Sequence, residues 1–415
     1  MRILYVASAI EAGSASGGWT HVTEVARGLK DLGHEVLVIA KAPGILNFGL
    51  RGRGKSKIQN RGALWATKIP GVKLELIRLP QYLALLGLPR VARTFESFKP
   101  DVVMERFYNF AGAGVLWAHL RRVPCVLEVN APMVDPPGSL KTKVDKLALD
   151  SMRRWAGRQA RWSAAIVTPL ASTVPAQVSR RKIHELPWGA NVDRFDPDLR
   201  RRDPERRARL ADELGLEVGR PVAVFLGSFR AWHGAAHFAE AARRLLLGGA
   251  GLSFLAIGGG PELGPLRQRV AGWGLPPGRF VFAGPQPHER VPDLLALADI
   301  GVAPFDLASY PPLTTFGFYW SPLKIFEYMA MGLPVVTVDV TPLNEIVRDN
   351  KEGLLYKAGD ISGLVRALGR LAADDDLRER LGASARQRVC ERYSWRSHCL
   401  ALEGILKNLT SAPHG

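Results

Sequence analysis

The stretch FGFYWSPLKIFEYMAMGLPVV, residues 316–336, joins a helix to an apolar strand and places charged side chains at the start of that helix. Pro322 suits the beginning of a helix, because its missing N–H would have no helical partner there. The free backbone N–H groups of a first helical turn attract anions, and Lys324 adds a positive charge. Glu327 is three residues further on and therefore lies on the same face.

This arrangement predicts a site for a nucleotide-linked sugar. The lysine suits phosphate and the carboxylate suits ribose hydroxyls, one helical turn away. Ser321 and Leu323, which flank Pro322, are counted with the same donor site. The alternative is an ordinary surface helix, since prolines at helix starts and Lys/Glu pairs at this spacing are common.

Length and composition predict a soluble protein of two domains. The chain has 415 residues, and a domain with a single hydrophobic core is usually shorter than that. Its 47% hydrophobic and 23% charged residues are ordinary for a soluble globular protein. Its three cysteines show no metal-binding or CxxC spacing, which favours a reducing, cytoplasmic setting. No run reaches the ~18 apolar residues of a membrane-spanning helix. The first eight residues are too short for a signal peptide and predict a buried strand.

The net charge of +17 is concentrated in the first half of the chain. Residues 36–74 contain eight Lys or Arg and no acid, and residues 151–184 contain seven and no acid. Such runs favour an anionic membrane surface, with a generic basic surface as the alternative; no nucleic-acid motif accompanies the charge. The second run includes a helix bearing Trp155 and Trp162. That helix suits a membrane interface, although burial of both tryptophans in the core explains it equally well.

The first half alternates strands and helices. Residues 3–7 predict a strand, 13–18 a glycine-rich loop, 21–32 a helix and 36–40 a second strand, which together make a βαβ unit. Residues 44–70 have few apolar anchors and predict a mobile loop. Further predicted strands are 74–78, 102–105, 125–129 and 165–168.

The second half repeats this alternation after a turn-rich hinge at residues 187–197. Two α/β, Rossmann-like, doubly wound domains are therefore expected, with ligands at the carboxyl ends of the strands. Predicted strands are 222–226, 252–257, 280–283, 300–303, 335–338 and 353–355, and predicted helices are 235–247, 291–297 and 395–409.

Glycine-rich loops follow the first strands of both halves. Gly17 and Gly18 follow the first strand, and the loop GSFRAWHG, residues 227–234, follows the strand at 222–226. Gly258 and Gly260 follow the next strand. Glycine lets a backbone approach a ligand closely at such positions. The GxGxxG spacing of a dinucleotide-binding fold is absent, and no acid ends the second strand, which argues against a dehydrogenase.

These segments, in this order, resemble the retaining glycosyltransferases of family 4, which have the GT-B fold. The resemblance extends from Ser16 to Trp395 and includes the GANVDRFDP element at residues 189–197. It implies an N-terminal acceptor domain (1–187), a C-terminal nucleotide-sugar domain (188–394) and a helix that crosses back (395–415). The two domains of that fold face a central cleft.

The resemblance implies roles for individual residues. It assigns Glu327 to the ribose and Lys324 to the diphosphate of the donor. The family usually has arginine and lysine where Ser228 and His233 stand, so Arg230 is expected to replace the missing charge. His233 would hydrogen-bond a phosphate, and better when protonated, unless it is a neutral loop histidine.

Two further positions depart from the family pattern. The first of its two glutamates is replaced by Tyr319, near the place of the transferred sugar. On the acceptor side, Glu128 or Asn130 is expected to contact the sugars, with Asn130 where relatives often have histidine.

The implied activity is metal-independent transfer of a sugar from a nucleotide-diphosphate sugar, with retention, to a glycan or lipid-linked acceptor of envelope polysaccharide or glycolipid synthesis. No metal site or cofactor is expected, because the only run of aspartates, residues 374–376, lies in a helical surface stretch. Partners other than substrates would be an anionic membrane surface, reached from the cytoplasm, and not nucleic acid. A non-catalytic nucleotide- or partner-binding protein and a basic scaffold are alternatives, as are an epimerase or a phosphorylase of the same fold.

Overall fold

The computed structural model describes residues 1–14, 16–45, 68–134, 140–147 and 149–411. They form two compact units: unit 1 comprises Met1–Trp188 with His398–Gly415, and unit 2 comprises Gly189–Ser397. Most of the loop predicted at 44–70, from residue 46 to 67, lies outside the described residues.

Unit 1 is built on a seven-stranded parallel sheet. Its strands are β1 (Arg2–Glu11), β2 (Glu35–Lys41), β3 (Lys73–Ile77), β4 (Val102–Arg106), β5 (Cys125–Glu128), β6 (Ala165–Thr168) and β7 (Ile183–Glu185). The strand order is β3-β2-β1-β4-β5-β6-β7, so the order reverses between β1 and β4. The connecting helices are α1 (Gly17–Asp31), α2 (Leu88–Phe98), α3 (Ala113–Arg121), α4 (Leu140–Leu147) and α5 (Ser151–Trp162).

Unit 2 repeats this topology with six parallel strands. They are β8 (Val222–Leu226), β9 (Ser253–Ile257), β10 (Phe280–Gly284), β11 (Ile300–Ala303), β12 (Val335–Val338) and β13 (Gly353–Tyr356), in the order β10-β9-β8-β11-β12-β13. Its helices are α6 (Leu199–Arg202), α7 (Pro204–Leu214), α8 (Ala235–Leu247), α9 (Leu263–Ala271), α10 (Val291–Leu295), α11 (Pro311–Phe316), α12 (Leu323–Ala330), α13 (Leu343–Ile346), α14 (Ile361–Ala373) and α15 (Asp375–Arg392). The α/β, doubly wound prediction is thereby confirmed for both units.

The central strands are largely apolar, as expected for parallel sheets with helices on both faces, whereas the edge strands β3 and β7 of unit 1 carry charged residues and are partly exposed. In β1, the side chains from Ile3 to Ala7 are fully buried, and β8 is buried from Val222 to Phe225. The order reversal lies beside these central strands, and ligands of doubly wound sheets bind at such switch points. Ligands are therefore expected to bind at the loops that follow β1 and β8.

The last helix, α16 (Trp395–Ser411), packs on unit 1 from His398 onward. A Cβ on Gly28 would lie 2.4 Å from Sγ of Cys399, so glycine allows this close contact. His34 adds a hydrogen bond of 2.8 Å between its Nε2 and the carboxylate of Glu403. Cys125, Cys390 and Cys399 are all free thiols.

Both tryptophans of α5 are half-buried and contact other residues of unit 1. Trp155 donates its Nε1–H to the carbonyl of Ala111 at 2.7 Å. Trp162 stacks on His119, with ring centres 4.7 Å apart. These contacts favour packing against the core, and a membrane contact of this helix stays a prediction. Within the described ranges, no helix is long and apolar enough to span a membrane.

Candidate functional site

The start of α12 contains a buried lysine, Lys324. Helix α12 begins at Leu323, with Pro322 as the capping residue, and Lys324 is only 7% exposed. Its ammonium lies over the rings of Phe225 and Phe305, 4.5 Å and 4.9 Å from their centres. Burial lowers the pKa of Lys324 to about 7, although the charge of Glu327 acts in the opposite direction. A lysine kept in such surroundings is suited to a negatively charged ligand.

The loop after β8 approaches this lysine closely. A Cβ on Gly227 would lie 2.8 Å from Nζ of Lys324, and the residue has a φ of +152°, which favours glycine. Gly234, at the other end of the loop, has no room for a side chain, because a Cβ would lie 1.7 Å from the carbonyl oxygen of Pro304. The loop is thus held between the ends of β8 and β11, at the switch point of the sheet.

His233 is the partner of Lys324 in this loop. Its Nδ1 lies 3.2 Å from Nζ of Lys324 and accepts a hydrogen bond from the ammonium. Burial, followed by the charges of Lys324 and Arg230, lowers the pKa of His233 to about 2. Burial therefore favours the neutral imidazole in the ligand-free protein, which is the alternative that the sequence left open, and a contact of His233 with phosphate stays a prediction.

Arg230 lies on the exposed side of the same loop. Its guanidinium is 5.3 Å from the ring centre of Trp232, and Ser228 is half-buried two residues before it. The structure thus leaves Arg230 accessible to a ligand, as its predicted role requires. That role and the donor role of Ser228 stay predictions.

Gly258 and Gly260 shape the loop from below. A Cβ on Gly258 would lie 1.9 Å from the carbonyl oxygen of Gly227, and one on Gly260 would lie 2.7 Å from the backbone N of Phe229. Both residues have positive φ angles. The geometry gives these glycines a packing function beneath the loop, which is the structural alternative to direct contact with a nucleotide.

Glu327 is held by two residues that the sequence did not single out. Its Oε1 lies 3.0 Å from Nε2 of His288, and Nδ1 of His288 lies 3.3 Å from Nη1 of Arg194. Arg194 also donates to the carbonyl oxygen of His288 at 2.6 Å. A guanidinium only donates hydrogen bonds, so Nδ1 is the acceptor and Nε2–H donates to the carboxylate. Arg194 thereby fixes the tautomer that binds Glu327.

Tyr319, which stands in the place of the missing glutamate, belongs to an aromatic cluster. It is 3% exposed, and its ring centre lies 5.1 Å from that of Trp320. Trp320 stacks on Tyr310 at 5.5 Å, and Tyr310 contacts Trp232 at 4.5 Å. Aromatic surface therefore replaces a carboxylate beside the start of α12.

In unit 1, Gly17 and Gly18 begin α1 and are not part of a preceding loop. The helix starts four residues earlier than predicted, because the side chain of Ser16 accepts the N–H of Trp19 at 3.3 Å and caps it. A Cβ on Gly18 would lie 3.3 Å from Ile10. Both glycines sit at the amino end of the helix after β1, where the predicted donor contact remains a prediction.

Glu128 is an internal counter-ion in unit 1. It is 4% exposed, and its Oε1 lies 2.8 Å from Nη1 of Arg106. The hydroxyl of Tyr5 and the amide of Asn130 also donate to its carboxylate. Trp188 donates to the other end of the Asn130 amide at 2.8 Å. This geometry gives Glu128 a structural function, and the contact of either residue with an acceptor stays a prediction.

His21 completes this buried cluster. Its Nδ1 lies 3.1 Å from Glu128, and burial, with the charge of Arg106 as the next cause, holds its pKa well below the usual value. The cluster lies at the carboxyl ends of β1, β4 and β5, next to the switch point of unit 1. Across the described ranges, no group of three His, Cys, Asp or Glu side chains is arranged to hold a metal ion.

Comparison with known proteins assigns a family to both units. The family model described as "Glycosyl transferase 4-like domain" matches residues 16–189, and the one described as "Glycosyl transferases group 1" matches residues 220–374. The boundary between the two matches lies near the division between unit 1 and unit 2.

Two curated relatives cover most of the chain. Alpha-D-kanosaminyltransferase of Streptomyces kanamyceticus is 27% identical over 82% of this chain and 89% of its own. 2-Deoxystreptamine N-acetyl-D-glucosaminyltransferase of Streptomyces fradiae is 26% identical over 92% of this chain and 91% of its own. Among solved structures, Anabaena HepE in complex with UDP has a TM-score of 0.72 at 17% identity, covering 98% of this chain and 100% of its own. At that identity the structural likeness establishes the fold alone.

Proposed function

Because this chain belongs to the group 1, family 4 glycosyltransferases, enzymes that transfer glycosyl groups, we propose that its donor is a nucleotide-diphosphate sugar and that unit 2 binds it. The observation that carries this proposal is the site at the start of α12. There a buried lysine and a buried glutamate lie one turn apart, each held by a histidine. The UDP complex of HepE, which shares the fold, also supports it.

In this proposal Lys324 binds the diphosphate and Glu327 the ribose hydroxyls. The ammonium gains its anionic partner on binding and then stabilises the charge of the departing diphosphate. Arg230 approaches the same phosphates from the exposed side of the loop. The reaction breaks the bond between the anomeric carbon and the donor phosphate oxygen.

We place the acceptor on the same side of the sugar as the leaving group, which retains the anomeric configuration. The acceptor oxygen forms the new bond to the anomeric carbon, and its proton passes to a phosphate oxygen of the departing nucleotide. No carboxylate nucleophile is needed, unlike in the paired-carboxylate glycosidases. The residues described here supply binding and charge stabilisation, and no step requires a metal.

We propose a glycan or lipid-linked acceptor of envelope synthesis, reached from the cytoplasm at a membrane surface. The basic character of unit 1 supports this choice. A second candidate is a small, hydrophilic aminocyclitol, favoured by the names of the two Streptomyces relatives. Incubation with radiolabelled donor and each acceptor class, followed by separation of lipid and water-soluble products, distinguishes the two.

The experiment for the donor site is binding measured by thermal shift with UDP-, GDP- and ADP-sugars. We expect one nucleotide to raise the melting temperature and Glu327→Ala to abolish that rise. An exposed glutamate far along the same unit, Glu379, provides the control Glu379→Ala. Absence of a shift with all three donors, in a folded protein, contradicts the proposal. The anomeric configuration of the product, read by NMR, tests retention separately.

A further inference from the structure

The corner between α4 and α5 of unit 1 displays two leucines. Leu147 is 86% exposed and Leu149 is 76% exposed, the highest values among the large apolar side chains of the described ranges. Leu86 and Leu120 follow at 65% and 60%. A single exposed leucine is common, but two that stand two residues apart form a small apolar patch on this corner.

The backbone at Leu149 and Asp150 has an energetically unfavourable conformation. Leu149 and Asp150 both have φ angles of +55°, a region that residues with side chains rarely adopt. The buried Asp145 secures the turn by accepting the backbone N–H groups of Met152 at 2.8 Å and Arg153 at 3.2 Å. Leu149 therefore lies in a defined backbone conformation just before the start of α5, and Leu147 ends α4 two residues before it.

Exposed cations precede and follow the two leucines in the sequence, and Asp150, the acid next to Leu149, is half-buried. Lys143 and Lys146 are exposed on α4, and exposed arginines on α5 continue the positive surface. The carboxylate of Asp145 is buried and occupied by backbone N–H groups, so it does not offset these charges at the surface. The exposed arginines of α5 are Arg153, Arg154, Arg158 and Arg161.

We propose that this α4–α5 corner docks on an anionic lipid surface, with Leu147 and Leu149 inserted at the boundary between headgroups and acyl chains. Exposed apolar side chains beside lysine and arginine suit such a boundary, because the cations pair with lipid phosphates while the leucines leave water. A nucleic acid would use the cations but not the leucines. The inference deepens the membrane part of the proposed function, on which it rests, and it assigns that contact to the corner instead of to Trp155 and Trp162.

The test is co-sedimentation of the full-length protein with phosphatidylcholine vesicles, with and without phosphatidylglycerol. We expect binding only to the anionic vesicles, weakened by added salt. The double variant Leu147→Ser/Leu149→Ser is expected to lower the partition coefficient at least about tenfold, since even partial burial of two leucines is worth that much. The matched control, Leu86→Ser/Leu120→Ser, removes two other exposed leucines of unit 1 and is expected to bind like the wild type.

A second variant tests the charges. Lys143→Gln/Lys146→Gln is expected to weaken binding to anionic vesicles roughly tenfold or more and to flatten its salt dependence. Equal binding by the wild type and both corner variants overturns the proposal. An equal loss of vesicle binding in the control variant also overturns it. So does a result in which the corner variants alter only self-association in gel filtration and not vesicle binding. Thermal shift with nucleotide-sugars, measured on the same samples, reports on unit 2 alone, so failure of the donor site and failure of the corner are distinguishable.

Discussion

The ammonium of Lys324 lies 3.2 Å from Nδ1 of His233, which makes a neutral imidazole the acceptor for a buried lysine. In the family pattern a second cation stands in place of this histidine. A second ammonium at that distance would repel the first in a poorly solvated site. The histidine therefore leaves a single buried cation for the diphosphate, with Arg230 as an additional exposed one.

Removal of the buried lysine is expected to stabilise the protein while it abolishes function. The pKa of Lys324 is lowered from 10.5 to about 7 in the folded state, so the unfolded chain binds more protons between these values. Stability consequently rises with pH across that window, and the cost of burying the charge is fully present below about pH 7. Lys324→Met should raise the free energy of unfolding at about pH 6 by on the order of a few kcal/mol, and by progressively less toward pH 10.

Urea unfolding of the wild type and Lys324→Met as a function of pH measures this difference. The exposed Lys351 provides the control Lys351→Met, which should show no such pH dependence. The same Lys324→Met sample should fail to bind nucleotide-sugar. A difference in the free energy of unfolding that is the same at all pH values would show that folding does not lower the pKa of Lys324.

The contribution of the His233 hydrogen bond to donor binding can be separated from that of the side-chain volume. Asparagine can place its Oδ1 near the position of Nδ1, whereas alanine offers no acceptor. We expect His233→Ala to weaken donor binding roughly tenfold, because the lysine loses the group that orients it, at a cost of about 1–2 kcal/mol. His233→Asn should retain most of the affinity. Isothermal titration with the preferred nucleotide-sugar compares the three proteins, and equal affinity in all of them would contradict the orienting role.

Gly227 offers a test of the close approach between the loop and α12. A Cβ at this position would lie 2.8 Å from Nζ of Lys324 and 3.1 Å from Nδ1 of His233, and the φ of +152° is itself unfavourable for alanine. Gly227→Ala should displace the lysine and reduce donor affinity at least about tenfold. Gly264, in α9, has open space around it, so Gly264→Ala is the control and should bind donor normally. A Gly227→Ala protein with normal affinity would refute the tight packing.

The sequence predicted the strands and the two charged residues of α12 because both are local patterns. Apolar runs mark buried strands, and the three-residue spacing places Lys324 and Glu327 on one helical face. The partners of these residues are not local. His288 is 39 residues from Glu327 in the sequence, and Arg194 is 94 residues from His288. Only the fold brings them together.

The protonation state of His233 could not be predicted from the sequence for a similar reason. A histidine between two cations could be protonated or neutral, and the sequence does not contain the burial that decides it. The start of α1 was misplaced for a different reason. Glycines suggested a loop, but the cap supplied by Ser16 lets the helix begin with Gly17.

Glu128 in unit 1 is expected to matter for stability before it matters for any acceptor. Its carboxylate compensates the buried Arg106, and loss of one partner of a buried ion pair typically costs about 3–5 kcal/mol. Glu128→Gln should therefore lower the free energy of unfolding by that amount. The control is Glu96→Gln, because the ion pair of Glu96 with Arg121 is about half exposed and should contribute at most about 1 kcal/mol. Denaturant unfolding followed by circular dichroism measures both, and similar stabilities would contradict the structural assignment.

His288 is expected to strengthen binding of the donor's ribose, by orienting Glu327, and not binding of the rest of the donor. Its Nε2–H donates to Glu327, while its Nδ1 accepts from Arg194. Glutamine can place its terminal amide near Nε2, and asparagine can place its amide oxygen near Nδ1. His288→Gln should therefore keep the contact with Glu327, whereas His288→Asn should keep only the contact with Arg194.

The measurement is affinity for the preferred nucleoside diphosphate and for its 2′,3′-dideoxy form, which lacks the ribose hydroxyls. For the wild type and His288→Gln we expect the ribose form to bind roughly tenfold or more tightly than the dideoxy form, the effect of one or two well-placed hydrogen bonds. His288→Asn should lose most of that difference by binding the ribose form less tightly, while its affinity for the dideoxy form stays unchanged. Equal losses for both nucleotides would show that His288 supports the site as a whole and does not orient the carboxylate of Glu327.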